Sequence, residues 1–424
     1  MRTLETVGRA VESVARESYG RLVAYLSART RDPAGAEDAL GDALLAALTT
    51  WPRDGIPASP EGWLLTAARN RLTDRARHRM VRAQSEPTLQ IIMQSSDWED
   101  RDLLPDQRLN LMLVCAHPAI DSDMHTPLML QMVLGLDAAA IGRAFLVAPQ
   151  TMGQRLVRAK TKIRQARIAF EIPGADSLPT RLTAVLNAIY AAFGDSWEDA
   201  DGADAQRAEL ADEAIWLARL LSNLLPEEPE VRGLLALMLH CEARRPARRS
   251  SEGRYVPLAD QDCSLWREPL IDEAERQLAH ASSASRVGRY QLEAAIQSVH
   301  AERRRSGKTQ WCAIVAFYDR LAILTGAVGV EVGRAAAHAE IEGPAAALIL
   351  LDRIDSALSS GYQPYWAVRG HLLDQMGRGP SAVAAYTCAI DLTADEAVRG
   401  FLLQRRAAAA NSQIVVESTG VRSS

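Results

Sequence analysis

The sequence predicts an all-α protein: two small helical domains joined by a linker and followed by a long array of helical hairpins. Apolar residues recur at i, i+3, i+4 and i+7 through nearly every segment, and alternating β-branched runs are scarce. Proline and glycine gather in the stretches between these periodic segments. A chain of 424 residues, at roughly 100 to 200 residues per domain, provides for two to four packed units.

Composition removes several classes of function. The five cysteines, Cys115, Cys241, Cys263, Cys312 and Cys388, are far apart and form no CxxC pair, so neither a disulfide framework nor a zinc site is indicated. The eight histidines are scattered, so no metal is expected. No nucleophile–base pairing or phosphate-binding glycine loop appears; neither a catalytic site nor a cofactor is expected. The longest mostly apolar stretch, Leu128 to Leu136, is interrupted by Gln131 and falls far below the roughly 20 residues of a membrane span. The opening MRTLETVGRAVESVARESYG mixes charges and lacks a signal-peptide core, which predicts a cytoplasmic protein with no membrane association.

The net charge of -5 conceals an asymmetry. Residues 1–170 hold 22 basic and 19 acidic residues, leaving 26 and 34 for the remainder. Arg69, Arg71, Arg75, Arg77, Arg79 and Arg82 stand against a single acid, Asp74, and no acid occurs between Ala138 and Phe170. Two basic helices therefore lie in an otherwise balanced half.

Tyr19, Leu22, Val23 and Leu26 give the first helical stripe. Asp32-Pro33 supplies an N-cap and a proline at the first helical position, with Glu37 and Asp38 near the positive end of the new helix. That helix should run to about Trp51, burying Leu40, Ala43, Leu44, Ala47 and Leu48, with Asp38 and Asp42 together on another face. Pro52 to Pro60 is a loop, after which GWLLTAARNRLTDRARHRM opens a helix packed through Trp63 and Leu64. Residues 1–82 thus form a first domain. The stretch 83–106 reads as an acidic linker ending in DWEDRDLLPD, and 107–172 as a second domain containing a helix-turn-helix. In that motif Asp137 caps a short helix. Pro149 then opens a long one lined by Met152, Leu156, Ala159 and Ile163.

From 173 to 410 the chain is rich in Ala and Leu. YWAVRGHLLDQMGRGPSAVAAYTCAIDL, with small residues at Ala367, Gly370 and Ala382 and with Tyr386 followed by Ala389, is close to the 34-residue tetratricopeptide pattern. Weaker cousins occur at DEAIWLARLLSNLLPEEPEVRGLLALMLHCEARR and GRAAAHAEIEGPAAALILLDRI. A stacked array follows, because single hairpins cannot bury their own faces. Residues 411–424 read as a disordered tail.

AEDALGDALLAAL, GWLLTAARNRLTDRARHR and LVAPQTMGQRLVRAKTKIRQAR resemble, in that order and spacing, the two domains of bacterial extracytoplasmic-function sigma factors. The tail, including LLPEEPEVRGLLALMLHCEARRPAR, DQDCSLW and GRYQLEAAIQSVHAE, resembles the subgroup with a tetratricopeptide-like extension. The resemblance implies a dissociable subunit of bacterial core RNA polymerase that selects promoters, melts the -10 element and reads the -35 element. Glu37, Asp38 and Asp42 would meet basic side chains of the polymerase clamp.

On a helical wheel Arg71, Arg75, Arg79 and Arg82 fall within roughly 80° and suit the DNA backbone. Asn70 and Asp74, with Arg77, share another sector and suit an exposed -10 base. The Pro52–Pro60 loop would help to pocket a flipped base. In the long second-domain helix Gln150, Thr151, Gln154 and Arg155 would read the -35 bases, and Arg158, Lys160, Lys162 and Arg164 would touch phosphates. The linker would thread the RNA exit path, and the tail would take a protein partner.

Two departures from related tails stand out: Cys263 follows DQD where arginine is usual, and Gly333-Arg334-Ala335 replaces Asn-Arg-Ala. The alternatives are a helix-turn-helix regulator with a tetratricopeptide sensor, or a scaffold that has lost polymerase binding. The Asp38–Asp42 face separates the sigma reading from both.

Overall fold

The computed structural model describes residues 2–83, 106–145, 147–174, 176–198, 205–284, 286–393 and 395–420. Among these no strand forms, and the only ladder-like feature is an isolated bridge between Arg249 and Tyr255. Two compact units are present, Met1–Ala192 and Phe193–Ser424. No described helix is long and apolar enough to cross a membrane.

In the first unit α1 (Arg2–Thr30) ends where Arg31 adopts φ 54. Asp32 then accepts the Gly35 amide at 3.0 Å and starts α2 (Pro33–Asp54), which follows the predicted cap and proline. Leu40, Ala43, Ala47 and Trp51 are buried. Leu48 is 43% exposed, which corrects its place in the predicted buried face. It sits at the margin of the stripe beside Leu45, itself 65% exposed, so that α2 presents apolar surface to solvent. Ser59 Oγ accepts the Gly62 amide at the start of α3 (Pro60–Ala83). Leu64, Ala68 and Leu72 are buried along it, and Trp63 meets Trp51 edge-on at 5.6 Å.

The next helices, α4 (Arg108–Cys115) and α5 (His125–Leu134), pack on α1. Two glycines permit this. A Cβ on Gly20 would lie 2.1 Å from the Val133 carbonyl oxygen, and one on Gly135, at φ 75, would strike the Tyr19 ring. Asp137 accepts the Ala140 amide at 2.6 Å to cap α6 (Ala138–Ala144). The turn into α7 (Pro149–Gln165) is closed by the Val147 amide donating to Gly142 O at 2.7 Å. Met152, Leu156, Ala159 and Ile163 are all buried, as their spacing predicts.

The helix α8 (Leu178–Glu198) departs from the predicted boundary near residue 173. Thr126 Oγ1 donates to Ala188 O at 2.7 Å, and the Arg181 guanidinium donates to the Leu113 carbonyl. Buried polar groups need such partners. The first unit therefore keeps α8 as far as Ala192.

The second unit pairs helices in chain order: α9 (Ala205–Leu224) and α10 (Pro229–Ala243), α11 (Glu268–Ser282) and α12 (Arg289–Ser306), α13 (Trp311–Thr325) and α14 (Val328–Glu342). Then come α15 (Pro344–Asp352), the single turn α16 (Ser356–Ser359), α17 (Gln363–Gln375), α18 (Gly379–Leu392) and α19 (Glu396–Gly420). The Glu230 carboxylate accepts the Tyr290 and Gln291 amides at 3.0 and 3.1 Å, satisfying the start of α12. The last helix, α19, is described as far as Gly420, nine residues past the start of the predicted tail at 411. Ala407 to Ala410 favour helix, and no proline or glycine interrupts the chain until Gly420.

Candidate polymerase and promoter surfaces

The three acids singled out in α2 do not stand free. Lys160 of α7 places its Nζ 2.6 Å from Glu37 Oε2 and 3.8 Å from Asp38 Oδ1. The Lys160 and Glu37 side chains are only 13% and 12% exposed. Tyr19 donates its hydroxyl to the other Glu37 oxygen at 3.3 Å. Burial, and then the Glu37 charge, push that hydroxyl's pKa well above its ordinary value, so it remains a donor. Arg75 of α3 reaches Asp42 at 2.8 Å and Asp38 at 3.8 Å. Arg164 approaches the capping Asp32 at 3.6 Å.

Of the residues predicted at the -10 element, Asn70, Arg71, Asp74 and Arg77 are exposed on α3, and Arg77 lies 3.7 Å from Asp74. Arg75 is ion-paired with the acids of α2. The side chains of Arg79 and Arg82 lie outside the described residues, as does the acidic linker through residue 105. Pro52 is taken into the last turn of α2, so the loop before α3 is shorter than predicted.

On α7 the predicted readers Gln150, Thr151, Gln154 and Arg155 are exposed, with Arg158 on the same side. Gln150, Gln154 and Arg158 lie opposite the buried stripe from Met152 to Ile163, and Thr151 and Arg155 lie along one flank of it. Lys162 also faces outward and approaches Asp121 at 3.6 Å. Lys160 and Arg164, one turn apart, occupy a separate edge of the helix, turned toward α2. Their spacing from the buried stripe already distinguishes this edge from the reading face. Nothing in the sequence, however, says that α2 lies across from it. Tyr19 was missed as a polar contact because its place in an apolar stripe marks it only as core.

An acidic helix edge, an arginine-bearing helix and a tight turn into an exposed basic helix thus lie within one compact unit, the arrangement of a class of proteins directed to nucleic acid. Residues 14–81, which cover the latter part of α1 with α2 and α3, match the family described as sigma-70 region 2. Residues 181–282 match a family of unknown function, DUF6596. An uncharacterized protein of Rhizobium meliloti (strain 1021) is 37% identical over 403 residues, covering 93% of each chain. No solved structure matches. The chain belongs to the sigma-70 family, as a factor with a C-terminal extension. Its region 2 supports binding to RNA polymerase and recognition of promoters, and factors of this family are not enzymes.

Proposed function

We propose that the protein is a sigma factor of the extracytoplasmic-function type, using only two promoter-contacting domains. Glu37, Asp38 and Asp42, beside the exposed Leu45 and Leu48, dock on the clamp of core polymerase. Asn70 and Asp74 select an unpaired -10 base while Arg71, Arg77 and Arg79 hold its backbone; α7 enters the major groove at the -35 element. The helical extension takes a protein partner and regulates promoter engagement.

The observation that carries this reading is the exposed face of α7, Gln150 through Arg158, set behind a tight turn and in the same compact unit as the matched region 2. Reconstitution of the full chain with bacterial core polymerase tests it. Initiation at promoters from its own genome is the expected result. Tight duplex binding by the protein alone, with no polymerase association, would identify an independent helix-turn-helix regulator instead.

A further inference from the structure

Beyond the sigma reading, and without needing it, we propose that the helical extension binds a small oxyanion, the carboxylate or phosphate group of a small molecule, in a recess built around Arg244. This residue stands just past the end of α10 and is only 7% exposed. Its Nη2 donates to Gln297 Oε1 of α12 at 2.6 Å and to Cys241 Sγ at 3.7 Å. Its Nη1 is buried without a hydrogen-bond partner in the chain, and no described carboxylate pairs with the guanidinium. The acids of the region are committed elsewhere, Glu242 to Arg245 at 2.6 Å and to Arg267 at 3.0 Å, and Glu293 to Arg289 at 2.7 Å. Buried charges are ordinarily paired, because an uncompensated one is costly to desolvate. The helix C-terminus gives this cation a dipole but not a counter-charge.

Residues of α10, α12, α13 and the loop after α10 converge here. Cys241, Arg248, Tyr255, His300 and Tyr318 all lie within range of the Arg244 charge, and all keep partial exposure. Burial nevertheless raises the pKa of the Cys241 thiol and of the Tyr255 and Tyr318 hydroxyls, the last to about 12, and lowers those of Arg248 and His300. Side chains that touch solvent and are still desolvated line a recess, not a packed core. At neutral pH it offers a guanidinium, protonated hydroxyls and an uncharged imidazole, which are donors suited to an oxyanion.

The loop after α10 limits what can enter. The Val256 amide donates to Arg248 O at 2.9 Å and closes a short hairpin. Arg249 Nη2 lies 3.3 Å from Asp395 at the start of α19, and the Tyr255 ring meets Phe401 of α19 edge-on at 5.5 Å. A strap tied to the last helix thus bounds one side of the recess. A small molecule can reach a guanidinium so enclosed, whereas the surface of a folded partner cannot.

Isothermal titration calorimetry of the full chain, at an ionic strength fixed with sodium chloride, tests the proposal with two probes, inorganic phosphate and citrate. Saturable one-site binding of at least one is expected, and the tighter of the two tells a phosphate-bearing from a carboxylate-bearing ligand. Arg244→Met removes the charge from a flexible side chain and is expected to weaken binding about tenfold or more, the scale of a charge-assisted hydrogen bond. Tyr318→Phe, which deletes only a hydroxyl, is expected to weaken it about two- to tenfold. Circular dichroism reports whether each variant is folded; should Arg244→Met not fold, Tyr318→Phe decides alone. Saturable binding of neither probe would overturn the site. So would affinity unchanged in a folded Arg244→Met, or in Tyr318→Phe where that variant decides. Association with core polymerase, measured on the same protein, bears on the sigma reading only.

Discussion

Gly370 in α17 lies directly beneath the ring of Tyr386 in α18: a Cβ built on the glycine would sit 2.8 Å from Tyr386 Cδ1. Tyr386 is 1% exposed and packs among Leu373, Ala382, Ala385 and Ala389. An ordinary Gly→Ala change within a helix stabilises by roughly 0.5–1 kcal/mol. Here Gly370→Ala is expected to do the opposite, because overpacking against a confined ring costs about 1–3 kcal/mol. Thermal unfolding of the full chain decides between the two signs. A raised melting temperature would mean that the ring yields and that close approach is not the reason for glycine.

The division of labour on α7 makes a different kind of claim. Arg158 lies on the exposed face but further from the helix start than Gln150 and Gln154. Arg158→Ala in the holoenzyme is expected to weaken binding on all promoters alike and to flatten the dependence of log K on log salt by about 0.9. Gln154→Ala is expected to leave the slope alone and reduce discrimination at one base pair by about 1–3 kcal/mol. Salt titrations on promoter variants measure both quantities. If the two effects are interchanged, base and phosphate contacts have been assigned the wrong way round.

Several of these relationships were legible in the residues alone. Asp32-Pro33 announced the start of α2, the spacing of Met152, Leu156, Ala159 and Ile163 announced the buried side of α7, and Gly370 with Tyr386 announced a hairpin. Each depends on neighbours within a few turns. Glu37 with Lys160 was not legible, because an ion pair across 123 residues leaves no periodic trace and both residues had a sufficient reading as exposed charges. The placement of α8 failed for a related reason: Thr126 on Ala188 is a single long-range hydrogen bond, and Pro173 looked like a boundary. The departure at Gly333 acquires a physical sense only in three dimensions. A Cβ there would lie 2.6 Å from the Tyr318 hydroxyl, so the asparagine usual in related tails would force that tyrosine to move.

Two histidines of the extension give it a defined response to acid. His240, 1% exposed, has its pKa pushed down to about 3 by burial and then by the Arg244 charge. His300 is pushed to about 4 by burial, with Arg244 and Arg303 adding to it. Unfolded histidine takes its proton near pH 6.5, so between that pH and the folded values the unfolded chain binds more protons. Stability is therefore unaffected by these groups above about pH 7 and falls as the pH drops below 6.5, by about 2 kcal/mol per histidine at pH 5. Urea unfolding at pH 7 and pH 5 measures the loss. His240→Leu is expected to reduce that difference by about 2 kcal/mol; an equal loss in wild type and variant would show that His240 does not resist protonation.

The sharpest expectation concerns Asn70. It is exposed on α3, one turn before Asp74, while Arg75 on the neighbouring edge is drawn into the acids of α2. A short amide suits the edge of an unstacked base, whereas an arginine stripe suits phosphate and carries no sequence information. Asn70→Ala is therefore expected to leave core-polymerase affinity and duplex -35 binding unchanged while lowering the equilibrium for -10 opening. The loss should be about 5- to 150-fold, corresponding to about 1–3 kcal/mol for a base contact. Permanganate reactivity of -10 thymines reads opening, and filter binding of the closed complex reads the rest. If opening survives in Asn70→Ala but is lost in Arg71→Ala, the backbone grip rather than base capture drives melting, and Asn70 is a bystander on the same helix.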